Sequence, residues 1–250
     1  MKNKVVIITG GSKGIGAATV SAFQQAGANV VVLDLEKSNK WEHEPDFYAC
    51  DVTNESSIKE AIKNIYEKWN RIDILINNAG IQRYGSVTET DSEVWDEVMN
   101  VNLKSMFLCS KAVLPIMQQL GAGVIINVSS VQAFHSQQRV AAYTTSKTAI
   151  LGLTRSIAVD YAPAIRCMAV CPGTVDTPML RDALALSPNP DAMLQECEHM
   201  HLSQRIAVPN EIASLILYLC DDKASFMTGQ SIRIDGGLGI VLPGTVKNSG

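Results

Sequence analysis

The sequence predicts an α/β fold in which strands and helices alternate along a single domain around a parallel sheet. Three observations predict it. Short apolar, β-branched runs recur at residues 5–9, 29–33, 124–128 and 165–170, and each stops at a polar or glycine-rich turn. Stretches with helical periodicity lie between the runs, as at 56–69 and 141–159. No repeat, linker or shift of composition divides the 250 residues into separate units.

The composition narrows the function classes. Hydrophobic residues make up 46% and charged residues 18%, enough apolar material for a substantial core and unlike a disordered chain. A net charge of −4 argues against a nucleic-acid surface, which needs clustered Lys and Arg. No apolar run approaches the ~20 residues that span a bilayer, so no membrane partner is expected. Met1-Lys2-Asn3-Lys4 leads straight into a strand without a cleavage site, which speaks against a signal peptide. The six cysteines (50, 109, 167, 171, 197 and 220) are scattered and form no Cys-x-x-Cys pair. They read as reduced core residues of a cytoplasmic protein.

In chain order, the run at 5–9 ends in Gly10-Gly11-Ser12-Lys13-Gly14-Ile15-Gly16. A helical pattern covers 17–26, Gly27 ends it, and the run at 29–33 closes on Asp34. Strand, glycine turn, helix and acid-terminated strand within about thirty residues form the unit that binds a dinucleotide, in a Rossmann-type doubly wound sheet. The spacing Gly10-x3-Gly14-x-Gly16 differs from G-x-G-x-x-G. Its physics is the same, because backbone without Cβ atoms lets a pyrophosphate approach the helix N-terminus. Asp34 can accept from both ribose hydroxyls and repels a 2′-phosphate, so NAD is expected rather than NADP. Lys13 pulls the other way, since a cation in this turn can meet a phosphate.

Residues 47–50 read as a third strand ending in Asp51-Val52, placed to meet an adenine edge. A helix at 56–69 and a fourth strand at 72–76 follow, the strand ending in Asn77-Asn78-Ala79-Gly80. Ala79 and Gly80 leave room for a cofactor against backbone, while the asparagines tie strand ends together. A long helical region at 91–120, capped by Asp91 or Ser92, carries Asn102 in its middle. Asparagine is a poor helix-interior residue. Its side chain either breaks the ladder and holds a water beside Lys147 or is a satisfied buried amide.

The run at 124–128 ends at Ser129-Ser130, and the next helix brings Tyr143 and Lys147, four apart and on one face. A phenol has a pKa near ~10, and a nearby ammonium favours the phenolate. Ser130 would hold a substrate oxygen beside that proton. The strand at 165–170 runs into Cys171-Pro172-Gly173-Thr174-Val175-Asp176-Thr177-Pro178, a rigid turn that directs Val175 and Thr177 towards a cofactor amide. Residues 179–202 have the least pattern and read as a substrate lid. His199 and His201 there lack a carboxylate or Cys partner, so no metal is expected. A helix at 209–219 and a strand at 231–234 precede Asp235-Gly236-Gly237. The apolar tail at 238–250 is expected to dock.

Together these residues resemble the short-chain dehydrogenase/reductase family along nearly the whole chain. The matching marks are Thr9-Gly10-x3-Gly14-x-Gly16, Asp51-Val52, Asn77-Asn78-Ala79-Gly80, Asn102, Ser130, Tyr143-x3-Lys147 and Pro172-Gly173. The resemblance implies a catalytic set in which Ser130 positions the substrate oxygen and Tyr143 exchanges its proton. Lys147 lowers the Tyr143 pKa and holds the nicotinamide ribose, and Asn102 holds a water on the proton relay. It also implies a sheet of seven parallel strands and a homotetramer. Further details resemble the aldose 1-dehydrogenases: Ser130-Val131-Gln132-Ala133, Asp160-Tyr161-Ala162-Pro163, Gln204-Arg205-Ile206 and Asp235-Gly236-Gly237-Leu238.

The expected activity is NAD-dependent oxidation of a secondary carbinol, C1 of a cyclic aldose to its lactone. Polar residues at the expected substrate side, Gln82, Gln132, His135, Gln137 and Arg139, suit a hydroxyl-rich molecule. A 3-oxoacyl-type reductase is the alternative, disfavoured by Asp34 because biosynthetic reductions usually draw on NADPH. A silent dinucleotide-binding scaffold would have lost a member of the Ser130–Tyr143–Lys147–Asn102 set.

Overall fold

Residues 1–240 are described by the computed structural model. Seven parallel strands form one sheet in the order β3-β2-β1-β4-β5-β6-β7. They are β1 (Val5–Thr9), β2 (Asn29–Asp34), β3 (Asp46–Ala49), β4 (Ile74–Asn77), β5 (Gly123–Val128), β6 (Ile165–Pro172) and β7 (Ser231–Ile234). Eight α-helices connect them: α1 (Gly14–Gln25), α2 (Glu55–Trp69), α3 (Ser92–Met99), α4 (Ser105–Leu120), α5 (Ala141–Tyr161), α6 (Pro178–Ala185), α7 (Pro190–His199) and α8 (Pro209–Cys220).

Strand alternation sorts the core into two layers. In β1, Val5 and Ile7 join Ile58, Ile65, Val113 and Met117 of α2 and α4 on one face. Val6 and Ile8 join Val20, Phe23, Ile212 and Ile216 of α1 and α8 on the other. Every residue of β1 is buried, which is why central strands read as continuous apolar runs. Strand order reverses between β1 and β4, and a crevice opens beyond the carboxyl ends at such a point.

Several boundaries differ from the sequence expectation for local physical reasons. Helix α1 begins at Gly14 instead of residue 17, so the glycine turn is itself the first helical turn. The fourth strand starts at Ile74 and takes in Asn77, because β4 pairs with Val6–Ile8 of β1 and Ile74–Asn77 with β5. Asp91 stands at the N-cap of α3 without a side-chain bond to the helix. The region at 179–202, read as unpatterned, holds α6 and α7. Its prolines start helices: Pro178 and Pro190 occupy first-turn positions, capped by Thr177 and Asn189. All six cysteines are buried and unpaired. Among the described residues, no helix is long and apolar enough to cross a membrane. Of the apolar tail, Leu238–Ile240 form a 3-10 turn tied by Asp235 and Arg233, while residues 241–250 lie outside the described residues.

Candidate active site

The carboxyl ends of β1, β4, β5 and β6 bring the singled-out residues to one edge of the sheet. The glycine turn is built by close approach. Gly10 has φ +64°, and a Cβ on Gly16 would stand 2.0 Å from the Gly10 carbonyl oxygen. Asn78 locks this turn to β4: its Nδ2 donates to Thr9 O at 3.1 Å and to Gly10 O at 2.9 Å. The Thr9 hydroxyl receives the amides of Asn78 and Ala79. The Asn78 Nδ2 is therefore spent on the scaffold, beside the backbone of Ala79 and Gly80.

A dinucleotide fits this cradle. The N-terminus of α1 has no side-chain cap and no acid in its first turn, so Gly14, Ile15 and Gly16 present uncompensated amides to an anion. Thr177 lies across the turn, with Cγ2 3.2 Å from where a Gly14 Cβ would be, and Val175 is buried beside it. The loop after β6, which starts at Gly173 behind Pro172, thus stands against the glycine turn through Thr177.

At the end of β2, Asp34 accepts from Ser12 N at 3.0 Å and Leu35 N at 2.8 Å. Ser12 Oγ donates to Glu36 O at 2.6 Å, and Trp41 Nε1 to Gly11 O at 3.1 Å. Asp34 thereby orients the turn and retains free lone pairs for hydroxyl donors. Lys13 leans towards Glu36, Nζ to Oε2 3.7 Å, in an exposed pair. Asp51 is exposed and turned onto Thr53, whose amide and hydroxyl it accepts, while Val52 is buried.

Tyr143, Lys147, Ser130 and Asn102 meet across β5, α5 and the helical region before α4. Lys147 is 4% exposed; its Nζ donates to Val128 O at 2.9 Å and lies 5.5 Å from the Tyr143 ring centre. Gly80 borders this space: a Cβ there would make ordinary contact, 3.6 Å from that Nζ. Ser130 Oγ accepts from Gln132 N at 3.1 Å, and Ser129 Oγ donates to Lys147 O. Asn100–Lys104 form a π-helical turn between α3 and α4, and Asn102 within it is a satisfied buried amide, the second of the two sequence readings. Asn102 uses its amide on both backbone groups of Ile81, at 2.8 and 2.9 Å, and on Ser146 Oγ at 3.1 Å.

The electrostatics differ from the expected ammonium-lowered phenol. Burial pushes Tyr143 up to about 12; the Ser130 hydroxyl partly offsets this, and the nearby Tyr84 adds to it. Burial likewise pulls Lys147 down to about 8, with Cys171 acting weakly against it. Lys147 directs its Nζ at the Val128 carbonyl, and burial is the largest cause of the Tyr143 shift. Tyr143 is thus a proton donor at neutral pH in this state of the protein.

The expected substrate residues gather less tightly. Gln132 Nε2 donates to Gln137 Oε1 at 3.0 Å and its Oε1 accepts from Thr144, so the two glutamines pair with each other. Gln137 is exposed, and Gln82 lies half-buried after β4. The loop carrying Gln82 is clipped to the approach of α5 by Gly85 N to Arg139 O and by Arg139 to Glu89. Sequence reading missed Tyr84 in this loop, as well as Arg233 at the end of β7, 5.6 Å from the Phe134 ring. Neither stands in a motif that would single it out.

A parallel doubly wound sheet with a glycine-turn cradle beside a Ser–Tyr–Lys–Asn cluster defines an oxidoreductase that uses a nicotinamide dinucleotide. The chain belongs to the short-chain dehydrogenase/reductase family: a family model described as enoyl-(acyl carrier protein) reductase matches residues 10–239. A dehydrogenase/reductase SDR family member 6 from Aquarana catesbeiana is 37% identical over 95% of this chain and 98% of the relative. A 3-oxoacyl-[acyl-carrier-protein] reductase FabG of Thermotoga maritima is 37% identical over 95% and 98%. Among solved structures, the ligand-free aldohexose dehydrogenase AldT of Thermoplasma acidophilum is 40% identical, with TM-score 0.94 and 98% of each chain covered.

Proposed function

We propose that this enzyme is an NAD-dependent sugar dehydrogenase that oxidises C1 of a cyclic aldose to the lactone. The observation that carries the reading is the similarity to the Thermoplasma aldohexose dehydrogenase along 98% of both chains. The polar substrate side, with Gln82, Gln132 and Gln137, supports it, since sugar hydroxyls require partners. Asp34 supports NAD over NADP, since its carboxylate closes β2 where the adenosine ribose is expected.

In this reading Gly10, Ser12, Gly14, Ile15 and Gly16 hold the pyrophosphate and Asp34 the adenosine ribose. Asp51 and Val52 border the adenine, while Ala79, Gly80, Pro172, Gly173, Val175 and Thr177 enclose the nicotinamide half. The bound nicotinamide supplies the hydride acceptor. Ser130 orients the C1 hydroxyl, and Tyr143 in its deprotonated form, whose share grows as pH rises, takes the proton of that hydroxyl. Lys147 holds the nicotinamide ribose, and Asn102 keeps the relay from Lys147 open to water. Residues 179–202 cover the sugar. The active form is a cytoplasmic homotetramer.

A second reading, reduction of a 3-oxoacyl thioester, is favoured by the FabG relative. A panel of aldoses, cyclic alcohols and hydroxyacyl thioesters, each assayed with NAD and NADP, separates the two. Turnover of thioesters alone, with NADP, overturns the sugar assignment and leaves the proton chemistry standing.

A further inference from the structure

Three of the four histidines are exposed, whereas His201, two residues beyond α7, is 2% exposed. Both of its ring nitrogens meet backbone. Nδ1 lies 2.7 Å from Cys197 O, and Nε2 lies 3.2 Å from Thr174 N. A carbonyl oxygen only accepts and an amide only donates, so this pairing has Nδ1 donate to Cys197 O and Nε2 accept from Thr174 N. The ring fits because residue 173 is glycine: a Cβ there would stand 2.8 Å from Nε2 and 3.0 Å from Asp235 Cα.

The surrounding backbone ties the segment that carries His201 to the 174–176 loop and to the turn after β7. Ala207 N donates to Thr174 O, Asp176 N to Ala207 O, and Ser203 N to Gly236 O. On its other side, residues 174–177 reach the glycine turn through Thr177. This loop is therefore held between the dinucleotide cradle and the segment that carries His201.

We propose that His201 is a positioning residue for cofactor binding: through Nε2 it fixes the Thr174 amide and sets Val175 and Thr177 against the cradle, so that α7 and the cofactor loop act as one unit. This rests on the dinucleotide reading of the glycine turn. Without the acceptor, the Thr174 N–H loses its partner and the loop turns to find another.

Two near-isosteric variants separate the two bonds. His201→Gln keeps an acceptor near the Nε2 place, whereas His201→Asn keeps only a donor near the Nδ1 place. NADH titration by fluorescence is expected to give a Kd within about threefold of wild type for Gln and about tenfold weaker for Asn. The two are expected to melt within a few degrees of each other. A role that merely fills space makes them equal, and equal Kd values overturn the proposal. If a variant does not fold, amide hydrogen exchange of the wild type decides. NADH slows exchange at 174–177 and at 198–204 together, and protection confined to 174–177 refutes the coupling. A wild type that binds NADPH and not NADH sinks the NAD assignment alone, and the Gln–Asn comparison is then read with NADPH.

Discussion

Replacing Gly16 by Ala tests whether the glycine turn is packed as tightly as it stands. The added methyl would lie 2.0 Å from Gly10 O and 2.6 Å from Asn78 Nδ2, whereas ordinary contact begins at 3.4 Å. The Gly10 carbonyl would have to retreat by more than an ångström. It cannot do so freely, because Gly10 N donates to Leu33 O at 2.9 Å and Asn78 Nδ2 holds the carbonyl at 2.9 Å. Overpacking of this kind costs ~1–3 kcal/mol, and each Asn78 bond lost adds ~0.5–1.5 kcal/mol. The sum, roughly 2–5 kcal/mol, corresponds to a fall in Tm of about 4–20 °C for a chain of this size. NADH affinity should fall at least about tenfold, since the amides of the first turn of α1 move with the turn. Gly152→Ala is the matched control: it lies within α5 with no heavy atom within 4 Å of its Cβ place. There the same methyl should stabilise by ~0.5–1 kcal/mol. Differential scanning calorimetry and NADH titration of both variants provide the readout. A Gly16→Ala protein that melts within two degrees of wild type and binds NADH normally would refute the packing argument.

Other predictions concern the chemistry. Asp34→Ala should lower the ratio of kcat/KM with NAD to that with NADP by at least about tenfold, as charge repulsion and ribose contacts vanish together. An unchanged ratio would place discrimination elsewhere. Tyr143→Phe should reduce turnover by about 10³-fold or more while NADH Kd stays within about threefold, since only the proton-exchanging oxygen is lost. Wild-type turnover in this variant would show the chemistry to be misplaced. Burial holds Tyr143 at about 12 in the ligand-free protein, so its base form grows as pH rises. Oxidative kcat/KM for NAD should therefore climb from pH 7 to 10, while the reverse reduction holds steady between pH 6 and 8. An oxidative plateau already reached at pH 7 would mean that the Lys147 charge outweighs burial.

What the sequence determined by itself is whatever rests on short periods and local stereochemistry. The alternation of apolar strands with helices, the glycine turn before α1, the acid closing β2 and the four-residue step from Tyr143 to Lys147 all lie within one or two elements. Period 2, period 3.6 and the absence of Cβ atoms are local properties, so they are written into the local residues. Asn102 was legible as an anomaly for the same reason, because asparagine fits a helix interior poorly. Even α6 and α7 carried signals, since Pro178 and Pro190 follow capping residues and start helices.

Only the tertiary structure decided where those side chains direct their polar atoms. Asn102 meets the backbone of Ile81 across a gap of 21 residues, and Lys147 meets Val128 O across 19. Asn78 is consumed by a strand 69 positions away, and His201 by a loop 27 positions away. No local pattern encodes such pairs, because they form only when the sheet brings remote strand ends together. The direction of the Tyr143 shift is of the same kind. A four-residue spacing places an ammonium beside a phenol, but only the assembled core determines how much water each has lost, and here that loss prevails.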